Sequence, residues 1–131
     1  MSRTDLKSHI NVAQSLAPAS RTTTANGTGV DLAGYDAATV VLDLGAAGGT
    51  TPSFTFEVQD SADNSSFAAV AAADLDSGQP AAVTAGAAVV EIGYRGIKRY
   101  LRVAITAATG TSPTLLCSAT VVRGKPRKLP A

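Results

Sequence analysis

The chain predicts an all-β domain, a β-sandwich or jelly-roll-like fold of about seven strands with an extended N-terminal arm and a basic C-terminal tail. Three observations carry this. Apolar and polar residues alternate with period two in several separate stretches, the mark of strands with one buried face. Clusters of Gly, Pro, Asn, Asp and Ser separate those stretches at short intervals, which leaves no room for helical crossovers between parallel strands. The apolar fraction is 45% but aromatics are only 5%, so the core is a thin one of Val, Leu, Ile and a few Phe. At 131 residues the chain suits one domain. A thin core also favours a homo-oligomer.

Residues 1–21 are extended, with a short helical turn as the alternative over Leu6, Ile10, Val12 and Leu16. The charged start gives no sustained apolar face, and Pro18 stops any helix near Ala17. Read as an arm, residues 1–20 are dispensable for folding. Residues 22–29, TTTANGTG, form a turn, residues 30–32 a short strand, and residues 33–36 a corner. In residues 38–44, Val40, Leu42 and Leu44 share one face. Residues 45–52, GAAGGTTP, read as a loop. Phe54, Phe56 and Val58 then point inward in the most aromatic strand, which belongs at the centre of the core.

Residues 60–66, DSADNSS, make a polar turn, and residues 67–70 a short returning strand. Residues 71–86 are mostly loop, with room for one helical turn near Ala72 before Gly78 and Pro80. Residues 88–94 form the next strand. The basic corner YRGIKRY leads into a strand with Leu101, Val103 and Ile105 inward. Residues 107–113 read as a turn around Gly110. In residues 115–122 Leu115, Cys117, Ala119 and Val121 are inward, and RGKPRKLPA is an extended tail outside the sheet. The expected division is an arm over 1–27, a sandwich over 28–122 and a tail over 123–131.

The net charge of +1 conceals a polarised layout. No Lys or Arg lies between Thr22 and Tyr94, and no acid follows Glu91. Two readings stand. Strands from both halves could mix in one sheet and neutralise each other, or the basic ends could reach an acidic neighbour. The N-terminal residues form no secretory signal, and no stretch is long and apolar enough for a membrane helix. Synthesis in a cytoplasm is the matching expectation.

No residue set reads as a catalytic centre, so no enzyme activity and no cofactor are expected. His9 is the single histidine and has no cysteine beside it for a transition metal. Asp60, Asp63 and Asn64 lack the full calcium-loop pattern, and turn capping explains them more cheaply. Ser65 and Ser66 have no histidine in the folded part to activate them. Cys117, the single cysteine, reads as a small buried hydrophobe. Arg95, Lys98, Arg99 and Arg102 around Tyr94 and Tyr100 could form a basic patch with stacking aromatics. The overall charge and the acids Asp43, Glu57 and Glu91 on the same sheet faces weigh against direct nucleic-acid binding.

The stretches SLAPASRTTTANGTGVDLAGYDAATVVLDLG, FEVQDSADNSSFAAV, GYRGIKRYLRVAIT and the closing VVRGKPRK, in that order, resemble small virion structural proteins of tailed bacteriophages. The pattern comprises Gly29-Val30-Asp31-Leu32, the turn from Gln59 to Phe67 and the corner from Gly93 to Tyr100. The resemblance implies a non-enzymatic head decoration protein at the virion head surface. It would bind the outside of the capsid, bridge major capsid protein subunits, and be a homo-oligomer, with a trimer as one form. Contacts are expected from the arm (Arg3, Lys7, Ile10, Val12, Leu16), the corner (Tyr94, Arg95, Lys98, Arg99, Tyr100) and the tail (Arg123, Lys125, Arg127, Lys128). The alternatives are a neck or tail component of the same virion and a glycan-binding sandwich using Tyr35, Tyr94 and Tyr100.

Overall fold

The computed structural model describes Arg3 and residues 5–130. The described chain is all-β, with two single 3-10 turns at Lys7–His9 and Ala72–Asp74 and no α-helix. Seven strands follow in order: β1 (Ile10–Arg21), β2 (Ala25–Asn26), β3 (Val30–Asp31), β4 (Tyr35–Ser61), β5 (Ala68–Ala69), β6 (Gly86–Tyr94) and β7 (Tyr100–Pro126). They form one antiparallel sheet whose main path is β1-β7-β4-β5, with β6 on β4 and β2 and β3 on β7.

The frame is a ribbon of two 27-residue strands, β4 and β7, paired from Tyr35↔Pro126 to Ser61↔Tyr100. The ribbon bends in the middle. The sequence suggests loops there, at residues 45–52 and 107–113. Instead the two segments pair with each other, Gly48 with Thr114, Thr50 with Thr111 and Ser53 with Thr109, through a series of bulges. The physical reason is that glycines mark a bulge as readily as a reversal. Gly49 (φ 94°) and Gly110 (φ 118°) take left-handed backbone there. A Cβ on Gly49 would stand 2.4 Å from the Ser112 carbonyl oxygen, and one on Gly110 2.7 Å from that of Thr51. Only glycine lets the two chains approach this closely while bending.

The bend makes the sandwich. Val40, Leu42 and Leu44 from the first half of β4 and Phe54, Phe56 and Val58 from the second half join one core. Leu101, Val103 and Ile105 of β7 join it, as do Leu115, Cys117, Ala119 and Val121 beyond the bend. With no α-helix to cover either half, the two halves cover each other. Tyr94 on β6 marks the closure: its hydroxyl donates to Asp60 Oδ2 on the far half of β4 at 2.8 Å.

Both chain ends differ from the expectation. Ile10–Arg21 is extended but is not a loose arm. It pairs with β7 from Ile10↔Gly124 to Arg21↔Leu115. Leu16 is 2% exposed and packs in the core. Ser15 is buried beside it, and its hydroxyl accepts the Val103 N–H and donates to the Thr28 carbonyl, both at 3.0 Å. Bulges between Gln14 and Leu16 and between Leu16 and Ala19 break the period-two pattern, which is why β1 does not read as a strand. At the other end β7 runs on to Pro126, so residues 123–126 belong to the sheet rather than to a tail. Lys125 sits at φ 48°, a local irregularity near the end of β7.

Candidate interaction surface

The corner is built where β3, β4, β6 and β7 meet. Register sets its first ion pair: Asp31 on β3 lies opposite Tyr100, the first residue of β7. This brings Arg99 Nε and Nη2 to the two Asp31 carboxylate oxygens, each at 2.9 Å. The Ala33 N–H adds a third bond at 2.9 Å. Hydrogen bonding from Arg99, then from Ala33, lowers the Asp31 pKa from 3.8 to about 2, and the same contact raises that of Arg99.

Arg127 makes a similar fork to Asp36 Oδ1 at 3.2 and 3.0 Å. Arg123 lies over the Tyr35 ring at 4.9 Å, donates to the Asp31 carbonyl at 3.0 Å and bonds Asn11 of β1. Arg95 donates to the carbonyls of Ala73 and Leu75 at 3.4 and 3.1 Å. Arg102 stacks on Phe67 at 4.0 Å and donates to Gln59 Oε1 at 2.8 Å. Thus much of the apparent basic patch is engaged with the chain's own acids, carbonyls and rings. Of the two readings of the charge layout, the pairs Asp31–Arg99 and Asp36–Arg127 show mutual neutralisation within one sheet.

Two residues expected at a contact surface are core residues instead. Leu16 is buried in β1. Tyr94 is 8% exposed because the sandwich closes over its ring, and its hydroxyl accepts the Lys98 N–H at 3.1 Å as well as donating to Asp60. Burial, then the Asp60 bond, raises the Tyr94 pKa well above the ordinary phenol range. Tyr35 and Tyr100 carry Arg123 and Arg99 against their rings. The three tyrosines therefore do not present an open aromatic platform.

Arg3, Lys7, Val12, Lys98, Lys125 and Lys128 are exposed, and Ile10 is half-buried. None of these lysines forms an ion pair among the described residues. The structure adds exposed apolar residues that the sequence does not single out: Ile97 (96% exposed), Val89 (63%) and Leu116 (58%). Val89 and Leu116 sit on strands whose opposite faces carry the alternation. Ile97 follows Gly96 in the connection between β6 and β7 with no periodic neighbours, so no pattern marks it.

Between residues 32–38 and residues 94–99, with Arg127 at its margin, lies an open groove of about 470 Å³. The acidic turn beside the corner is a capped turn: Asp63 Oδ1 accepts the N–H groups of Ser65 and Ser66 at 2.9 Å and the Ser61 hydroxyl at 2.8 Å. These bonds lower the Asp63 pKa to about 2. No group of three or more His, Cys, Asp or Glu side chains able to hold a metal lies among the described residues. Cys117 is buried, and burial pushes its thiol pKa up. Among the described residues no helix is long and apolar enough to cross a membrane.

Asp31 gives a pH signature. Its lowered carboxyl pKa means that the ion pair's contribution is complete above about pH 4 and is lost as pH falls through about 2. Both side chains are about half exposed, at 55% and 41%, so the contribution is small and salt-screened. A carboxyl NMR titration is expected to place Asp31 near 2. Arg99→Gln should return it toward the ordinary value of 3.8. An unmoved Asp31 in that variant would show that Arg99 is not the cause.

These features define a small two-layer β-domain with a groove and exposed apolar residues at its surface. The chain belongs to the Bbp16 family, whose model matches residues 9–121. The family's name associates it with bacteriophage. The match starts before β1 and ends within β7, so β1 lies inside the family's domain. No curated protein matches the chain.

Proposed function

We propose that this protein is a structural component of a tailed-phage virion that binds the outside of the capsid and bridges or stabilises major capsid subunits. The observation that carries the reading is membership of a phage-associated family across nearly the whole sandwich. The assignment to the head rests on the resemblance of the corner and turn motifs to decoration proteins. The physical chemistry is compatible. A rigid β-domain that binds only the assembled lattice stabilises it by linkage, and several weak contacts per subunit add by avidity. In this reading the protein is not an enzyme, needs no cofactor, is made in the host cytoplasm and acts as a homo-oligomer, with a trimer as one form. Exposed residues such as Val12, Val89, Ile97 and Leu116 supply apolar contact area.

Quantitative mass spectrometry of purified particles tests this. A head decoration protein is expected at a fixed ratio to the major capsid subunit. A few copies per particle would move it to the neck or tail, and absence from particles would overturn the virion role.

A further inference from the structure

We propose that the groove between residues 32–38 and residues 94–99 seats an extended acidic segment of the capsid partner. An aliphatic side chain of that segment packs between Ile97 and Leu32, and a neighbouring carboxylate pairs with Lys98. The inference rests on the virion reading and adds the docking site and the chemistry of its occupant.

The groove is preformed. Tyr94 forms part of its lining, with its hydroxyl held by Asp60 on one side and by the Lys98 N–H on the other. Gly96 lets the loop lie against that ring, since a Cβ there would be 2.4 Å from the hydroxyl oxygen. The opposite wall is tied down by the Arg127 N–H bond to the Gly34 carbonyl and the Leu32 N–H bond to the Arg99 carbonyl, at 2.9 and 2.8 Å. A volume of about 470 Å³ accommodates a few side chains.

The chemistry of the lining selects the occupant. Ile97 is almost wholly exposed, and Leu32 on the facing segment is half-buried, so an aliphatic group between them removes apolar surface from water on both sides. The charged lining residues are Lys98, Arg99, Arg127 and Asp36. Arg99 and Arg127 are already engaged by Asp31 and Asp36. Lys98 has no side-chain hydrogen bond or ion pair among the described residues, so it is the cation available to a ligand. Its other side borders a hollow lined by Asp60, Asp63 and Asp74. A basic segment would favour that hollow, whereas an acidic one is directed to the groove.

The test is an NMR titration of the full chain with an eight-residue peptide carrying a central Leu flanked by Glu. Amide shifts are expected at residues 32–38 and 94–99. Ile97→Ser and Lys98→Glu should each weaken binding by roughly tenfold or more, the scale of losing one anchor. Both side chains are exposed, so neither variant disturbs the fold. Shifts confined to other surfaces, equal binding of a peptide with Lys in place of Glu, or unchanged affinity in both variants would overturn the proposal. Occupancy on particles assembled without this chain separates the two levels. Wild type binding while both variants fail supports the groove. Equal binding of all three overturns the groove and leaves the virion reading standing. Failure of wild type to bind overturns the virion reading and, with it, the identity of the occupant.

Discussion

Removal of residues 1–21 is expected to abolish cooperative folding, not merely to detach an arm. β1 supplies Leu16 to the core and covers the β7 segment that carries Leu115, Cys117, Ala119 and Val121. Losing a buried Leu alone costs about 2–5 kcal/mol. Losing Ser15 leaves the buried Val103 N–H without its acceptor, a further cost of about 1–3 kcal/mol. Stripping a strand from the sheet also exposes apolar surface and the unpaired edge of β7. A domain of this kind has only about 5–15 kcal/mol to lose. Circular dichroism of the truncated chain should show no β-sheet melting transition. Leu16→Asp, which buries an unpaired carboxylate at the same place, should destabilise the fold in the same direction. A truncated chain that melts like the full one would show that β1 is dispensable after all.

Phe56→Ala is expected to cost about 3–5 kcal/mol, the range for deleting a buried ring and leaving a cavity. Phe56 is 1% exposed and lies with Phe54 and Val58 at the centre of the sandwich. In a core with so few aromatics, the neighbouring valines and alanines are too small and stiff to fill the space. The melting temperature should fall by roughly 10–20 °C for a domain of this size. Val89→Ala on the exposed face of β6 is the control and should change stability by less than about 0.5 kcal/mol. Equal losses in the two variants would contradict the burial pattern on which the sandwich rests.

The central strands were legible because alternation is a local signal. Phe54, Phe56 and Val58 and the run Leu101, Val103 and Ile105 are buried as their spacing predicts. The same signal fails where the backbone departs from period two. In β1 both Ser15 and Leu16 are buried because a bulge lets adjacent residues face the interior. Gly49 and Gly110 read as loop residues, because a bent strand and a turn need the same left-handed backbone. At β6 the alternation holds only in part: Ile92 and Tyr94 are buried, Val90 is half-buried and Ala88 is exposed.

The candidate site was less legible. The basic corner was visible as a run of residues, but its partners were not. Asp31 and Arg99 lie 68 residues apart, and Asp36 and Arg127 lie 91 apart. Only the pairing of β3 and β4 with β7 decides which acid meets which base. Tyr94 shows the same limit, since the bond from its hydroxyl to Asp60 depends on the ribbon's bend. The groove is formed by two segments distant in sequence, residues 32–38 and 94–99, so no spacing rule reaches it.

Cryo-electron microscopy of the native particle tests the proposed decoration of the capsid exterior most directly. A decorating protein is expected to give β-sandwich density repeated at regular positions over the head lattice, with residues 94–99 turned toward a capsid subunit. Density confined to the neck or tail, or a head shell without this chain, would contradict it.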